Sequence, residues 1–410
     1  MSNTRDARGD APALPLAGMR IIELSSYVAS PLAGMVLAQL GADVIRIDPL
    51  GGAHDRSRWP LAPTGESLYW AGLNKGKRSL TVNLRSEGGR RLVGDIIEAS
   101  GPDGGIVLTN AREVHGLTDS DLRRRRQDLI HLRLTGQRDG STAVDYTANA
   151  TSGFAMVTGD KNREGPVNHV VPVWDVSAGL YIAIGLLAAE RHRRVTGLGQ
   201  SLQIALEDVA VATAGNLGYL AEAELSRHSR ERMGNQVYGD FGRDFVTADG
   251  VHVMLLVLTS RHWTNLTEIL GIQELVPHLE RQFDADFKSG DERYAHRGLL
   301  NGLVASWFAE RTFDEIESAL KSSSLLWSRY QSFTELVASG DLAVNPLMSR
   351  LDQPGIGQHF APGPPLVMNG TQVAARRAPA IGEHTDDVLS ELLRYTDAEI
   401  KHLHDSGVVE

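Results

Sequence analysis

Near the head of the chain two short β-branched segments flank one amphipathic stretch, and that order leaves few folds open. After Gly18, MRIIELS reads as a buried strand; the run from Pro31 through LAGMVLAQLG to Gly41 has helical apolar spacing; ADVIRIDP is a second buried strand. Strand, helix and strand within about thirty residues form a βαβ unit, which commits the chain to a parallel sheet. SLTVNL (79–84), RRLVGDIIEA, GIVLTN and LIHLRLTG continue the alternation to about residue 136, so the fold class is α/β. The turn after the first strand, SSYVASP, lacks the G-x-G-x-x-G pattern of dinucleotide binders, which argues against a nicotinamide or flavin cofactor.

A polar, glycine-rich stretch from Gln137 to Asn168 interrupts this pattern. VVPVWD then leads into VSAGLYIAIGLLAAERHR, whose small residues (Ala178, Gly179, Ala183, Gly185, Ala188 and Ala189) suit close packing against other backbone, so a central helix is expected. A second helix, ALEDVAVATAGNLGYLAEAEL, carries the chain to RMGNQVYGDFGRDF, where composition shifts and a boundary is placed. TADGVHVMLLVL predicts a hairpin around Asp249 and Gly250, and HWTNLTEILG and LLNGLVASWFAERTFDEIESAL predict helices, together a smaller α+β domain. Beyond about residue 338 the chain returns to loops and closes with a helix from Asp386.

With 410 residues, two domains are expected. Apolar content of 42% is ordinary for a soluble protein, and no apolar run is read as a membrane span. The first fifteen residues are polar and rich in Ala and Pro without a secretory pattern, and read as a disordered tail. Cysteine is absent, which removes thiolate nucleophiles and is compatible with a reducing compartment, so cytoplasm is the expected location. A net charge of −10 argues against a nucleic-acid partner, and the basic runs Arg123–Arg126 and Arg191–Arg194 read as solvated helix faces.

Three segments carry candidate chemistry. GLNKGKRS (72–79) resembles a phosphate loop but is one residue short and has Arg78 where Ser or Thr should follow the lysine; what survives is a cationic cluster of Lys75, Lys77 and Arg78 suited to a diphosphate or ribose phosphate. His384, Asp386 and Asp387 read as a helix start capped by Thr385, not as a metal site, and no metal is expected. Asp175 stands between an apolar stretch and the small-residue helix. Pattern alone favours a helix cap there, while Trp174 and the valines before it would also leave a carboxylate partly desolvated and able to attack an acyl carbon.

Several ordered segments together resemble the class III CoA-transferase (CaiB/BaiF-like) family over almost the whole chain from about Leu16: LAGMRIIELSSYVASPLAGMVLAQLGADVIRIDP, NKGKRSLTVNLR, VWDVSAGLYIAIGLLAAERHRRVTGLGQ, RMGNQVYGDFGRDFVTADG and PAIGEHTDDVLSELL. The resemblance implies a split Rossmann-like large domain (16–225 and 338–410) and a small domain (226–337). It also implies two such chains interlocked as ring-like homodimers, with the active site between the large domain of one and the small domain of the other. Asp175 takes the place of the family's acyl-accepting nucleophile. By position in the family pattern, coenzyme A, a part of the substrate and not a tightly bound cofactor, contacts Val28, Ala29, Arg46, Leu73, Lys75, Asn110 and Arg112. Arg46 has the added argument that a cation directly after a parallel strand lies at the carboxyl edge, where open α/β sheets bind ligands.

In the racemase branch of the family a histidine precedes an Asp-containing motif; here TAVDYTANATSG places Val144 at that position, and valine carries no proton. YWAGLNKGKRS, QRDGSTAVDYT, VNHVVPVWD, LLAAERHRR, YGDFGRDF and QPGIG are similar to a branch that moves CoA between the two carboxylates of one unsaturated C5 diacid. Acyl-CoA is then the expected partner, and backbone amides near Gly239 and Gly242 are candidates for stabilising the oxyanion. An intermolecular CoA transferase and a non-catalytic acyl-CoA-binding protein remain the rival readings.

Overall fold

Parallel strands buried on both faces need near-continuous apolar sequence, and the first strand has it: Ile21 and Ile22, which point to opposite faces, are both 0% exposed. In the computed structural model, which describes residues 14–228 and 230–410, the chain separates into two compact units. One comprises the chain up to Ser152, His169–Ala221 and Asp341–Glu410; the other comprises Gly153–Asn168 and Glu222–Gly340. The expected tail lies, for residues 1–13, outside the described residues.

The first unit is built on a six-stranded sheet: β1 (Arg20–Leu24), β2 (Asp43–Asp48), β3 (Arg78–Thr81), β4 (Ile106–Thr109), β5 (Ile130–Thr135) and β6 (Ser201–Ala205). Their order is β3-β2-β1-β4-β5-β6, every neighbour parallel. The helices are α1 (Ala29–Gln39), α2 (Leu68–Leu73), α3 (Glu87–Glu98), α4 (Asp119–Arg125) and α5 (Asp145–Thr151). After a four-residue turn of helix in the other unit, α6 (Phe154–Val157), come α7 (Val173–Thr196) and α8 (Leu206–Asn216). One face of the sheet packs Ile22, Ile45, Leu80 and Val107 against Leu92, Val93 and Ile96 of α3, and the C-terminal Val388, Leu389 and Ile400 join the same core. The two ends of the chain are thus one unit, pinned by a bridge between Val82 and Val409 and by the Thr81 hydroxyl donating to the Glu410 carbonyl at 2.9 Å.

The small residues of α7 do what their size predicts. A Cβ on Gly179 would lie 2.7 Å from the Ala29 carbonyl and 2.6 Å from Leu32, so glycine lets α7 press onto α1, while Gly185 faces Leu132 and Leu202 of β5 and β6. Ala178, Ile182 and Leu186 complete the buried face. At 24 residues α7 is long and apolar enough, by length and composition, to cross a bilayer, which corrects the sequence reading. Its packing against α1 and the sheet makes it a core helix of this unit. It ends where Gly197, at φ 76°, donates its N–H to the Arg193 carbonyl.

Two local readings shift. The closing helix is Thr385–Leu393 with His384 at the cap position, one residue earlier than expected; the His384 Nδ1 accepts from the Ser79 N–H, which occupies it within the fold. β6 escaped the sequence reading because SLQIA is an edge strand with only Ala205 buried.

The second unit holds the antiparallel sheet β7 (Phe241–Val246), β8 (His252–Val257) and β9 (Leu326–Arg329). The predicted hairpin is present, with Val246 opposite His252, but β7 begins at Phe241, inside the glycine-containing segment where the sequence places the boundary. Phe241, Phe245, Trp263, Phe287 and Phe308 dominate its core. The last predicted helix is two, Arg297–Ala309 and Phe313–Leu320.

Candidate active site

At the carboxyl edge of the sheet, the loops after β1, β4 and β5 surround a cleft of about 700 Å³. This is where the strand order reverses between β1 and β4, the place at which open α/β sheets bind ligands. The two loops are tied by a reciprocal pair: Asn110 accepts from the Ser26 N–H at 3.0 Å and donates to the Ser26 carbonyl at 2.8 Å. Tyr27 follows at φ 68°, an unusual conformation for a bulky residue, held by its N–H donating to the Asp55 carboxylate at 2.9 Å.

Asp175 opens into this cleft from the third position of α7. It is not the helix cap; that role belongs to Asp145, whose buried Oδ2 accepts from the N–H of Trp174 at 2.8 Å and of Asp175 at 3.2 Å. Trp174 is held in turn by its indole N–H on Asn149 at 3.2 Å. The Asp175 carboxylate accepts no hydrogen bond from the described residues, so its backbone is fixed while its reactive atoms stay free. Burial, and then the neighbouring Asp145 charge, push its pKa up to about 7, with Arg58 opposing them. A half-desolvated carboxylate with a raised pKa is a stronger nucleophile than a solvated one, and it lies in the shifted range typical of functional sites.

Across the cleft, Arg58 lies over the rings of Tyr27 and Tyr69, with its guanidinium carbon 5.3 and 5.1 Å from the two centroids. Behind these residues runs a buried ionic network. Arg46 is 0% exposed and donates to Asp48, to Asp55 at 2.9 Å and to Asn74 at 3.1 Å; burial works against its charge, but the two carboxylates prevail and hold it firmly protonated. Lys77 pairs with Glu23 at 2.8 Å, and both side chains are fully buried.

Of the residues expected to meet CoA, Val28, Ala29, Asn110 and Arg112 line the cleft. Arg46 does not: its guanidinium faces Asp48, Asp55 and Asn74 and presents no surface to a ligand, because a cation emerging from a central strand among two carboxylates pairs before it can reach solvent. Leu73 and Lys75 are not among the lining residues; Lys75 is buried, lowered to about 8 by that burial, and donates to the Pro362 carbonyl at 3.0 Å. The expected cationic cluster is therefore dispersed into the fold, with Lys77 on Glu23 and Arg78 on Asp43 and Glu391. Gly239 and Gly242 belong to the second unit, and Gly242 sits in the β7–β8 ladder, where a Cβ would lie 2.7 Å from the Leu255 carbonyl. Val144 lines the cleft at 54% exposure, with no proton to transfer. Sequence reasoning missed the roles of Arg58, Tyr69 and Asp145; Asp145 left a trace beside Val144 in TAVDYT and Tyr69 at the head of YWAGLNKGKRS, while Arg58 left none.

A family profile described as CoA-transferase family III matches residues 16–385. A 2-methylfumaryl-CoA isomerase of Chloroflexus aurantiacus is 42% identical over 398 residues, covering 96% of this chain and 97% of that one. A succinyl-CoA–D-citramalate CoA-transferase of the same organism is 25% identical, covering 97% and 99%. Among solved structures, a CAIB/BAIF family protein from Brucella suis superposes with a TM-score of 0.77 at 24% identity, covering 93% of this chain and all of that one, and so attests the fold.

Proposed function

The chain belongs to CoA-transferase family III and is an enzyme of the CoA-transferase type, and on that premise we propose that it moves CoA between the two carboxylates of one C5 unsaturated diacid, converting 2-methylfumaryl-CoA into 3-methylfumaryl-CoA. The observation that carries the proposal is Asp175, its backbone fixed at the head of α7 and its carboxylate open to the cleft without a hydrogen-bond donor among the described residues. The 42% identity to a 2-methylfumaryl-CoA isomerase supports the choice of diacid.

In the proposed sequence, an Asp175 oxygen attacks the thioester carbonyl at C1, the C–S bond breaks, and a mixed anhydride and CoA thiolate result. The thiolate attacks the aspartyl carbonyl, releasing the diacid as a carboxylate and leaving an Asp175–CoA thioester. The C4 carboxylate of the retained diacid attacks that thioester, again expelling thiolate, and the thiolate then takes the substrate acyl group from the second anhydride and restores Asp175. Only Asp175 is required as a covalent group, which agrees with Val144 at the position of the racemase histidine. Val28, Ala29, Asn110 and Arg112 are the proposed CoA contacts, and Asn110 also ties together the two loops that carry them.

Retention favours the intramolecular course, because a held acid reacts at effective molarities of about 10⁵ M or more when well oriented. Leu180, Tyr181 and Ile184 leave an apolar stripe exposed on α7, which supports the proposed homodimer. Incubation of 2-methylfumaryl-CoA with isotopically labelled free diacid tests the reading. Product without label is expected, and label entering the C4 thioester at the rate of turnover would establish the intermolecular transferase instead.

A further inference from the structure

Resting on that reading, we propose that Arg58, held between the rings of Tyr27 and Tyr69, binds the substrate carboxylate that is not bonded to CoA, so that it both selects dicarboxylic acyl-CoAs and keeps the released diacid beside Asp175. Among the described residues no carboxylate lies within ion-pair distance of Arg58, whereas Arg133, another cation of the cleft, is taken by Glu113 at 2.6 Å. With both tyrosine rings flanking its guanidinium, the N–H edge of Arg58 is left for a planar, two-oxygen ligand. The Tyr69 hydroxyl is buried and has no hydrogen-bond partner among the described residues. A buried hydroxyl in that condition is completed by an incoming acceptor. Burial also pushes Tyr69 up to about 12, so it stays a donor across the working range of pH.

The clamp is preorganised. The Arg58 N–H donates to the Asp55 carbonyl at 3.2 Å, and the Arg58 carbonyl accepts from the Ser67 hydroxyl at 2.5 Å. Ser67 also caps the helix that carries Tyr69, and Asp55 holds the Tyr27 N–H. Arg46, through its ion pair with Asp55, is thus a positioning residue for the clamp. The charge balance fits as well: once Asp175 is a neutral CoA thioester the freed dianion still faces the Asp145 carboxylate, and Arg58 is a cation that offsets that repulsion.

Arg58 is exposed, so its replacement does not threaten folding. In single-turnover mass spectrometry, Asp175–CoA thioester formation is followed for wild type, Arg58→Ala, Arg58→Lys and Tyr69→Phe, using 2-methylfumaryl-CoA and, in parallel, crotonyl-CoA, which lacks the second carboxylate. Affinity for free CoA and free diacid released per turnover are measured alongside. Arg58→Ala is expected to slow the reaction of the diacid thioester about 10- to 100-fold while changing that of crotonyl-CoA only a few-fold, to leave CoA affinity unchanged and to increase leakage of diacid. Tyr69→Phe should move the same quantities less, and Arg58→Lys should restore them in part. Equal losses for both thioesters, or a matching loss of CoA affinity, would overturn the assignment and make Arg58 a contact of the coenzyme. Absence of adduct from either thioester in wild type would overturn the reading of Asp175, and this proposal with it.

Discussion

Replacing Asp175 with Asn should abolish CoA transfer and at the same time make the protein more stable at alkaline pH. The folded chain holds this carboxylate at about 7 instead of its ordinary 3.8, so between those values the folded state binds more protons than the unfolded one, and stability falls as pH rises. At ~1.4 kcal/mol per pKa unit the penalty caps at about 4 kcal/mol; it is fully present above pH 7 and is relieved as pH drops toward 4. Solvent in the cleft and the unpaired amide introduced by Asn reduce the gain to about 2 kcal/mol. Thermal melts of wild type and Asp175→Asn at pH 8 and pH 4.5 measure it. The variant should melt a few degrees higher at pH 8, with the two converging at pH 4.5. A variant less stable at pH 8, or an offset independent of pH, would refute the argument that burial and Asp145 strain this carboxylate.

Because the attacking carboxylate must be ionised, kcat/KM should fall as pH drops through about 7. Asp145→Asn keeps the acceptor for the Trp174 and Asp175 N–H groups but removes the charge that helps raise Asp175, so a pH–rate profile should show the acid limb moved to lower pH yet still above the ordinary carboxylate range, because burial remains the larger cause. Gly179→Ala should destabilise by about 1–3 kcal/mol in chemical denaturation despite the higher helix propensity of Ala, since its Cβ would strike the Ala29 carbonyl at 2.7 Å.

Apolar runs with helical or continuous spacing made β1 through β5 and α1 legible, because burial on both faces leaves a strong compositional trace. The edge strand β6 and the start of β7 left none, the first being half-exposed and the second lying among glycines. Asp175 could be placed near a helix head, but whether its side chain capped that helix depended on Asp145, thirty residues earlier in sequence and adjacent only in the fold. The cations Arg46, Lys75 and Lys77 were visible as charges, yet their partners Asp48, Asp55, Glu23 and the Pro362 carbonyl are set by tertiary packing, and these turned expected ligand contacts into internal ties. Arg58 reads in sequence as one more arginine in a polar loop; its place between two aromatic rings exists only in three dimensions.

The central claim is that Asp175 carries CoA. Rapid quenching of the enzyme with 2-methylfumaryl-CoA, followed by peptide mass spectrometry, tests it most directly. The predicted result is a CoA thioester on the peptide containing Asp175, converted to the hydroxamate by hydroxylamine and absent from Asp175→Asn. Full turnover with Asp175 unmodified, or undiminished turnover in Asp175→Asn, would contradict it.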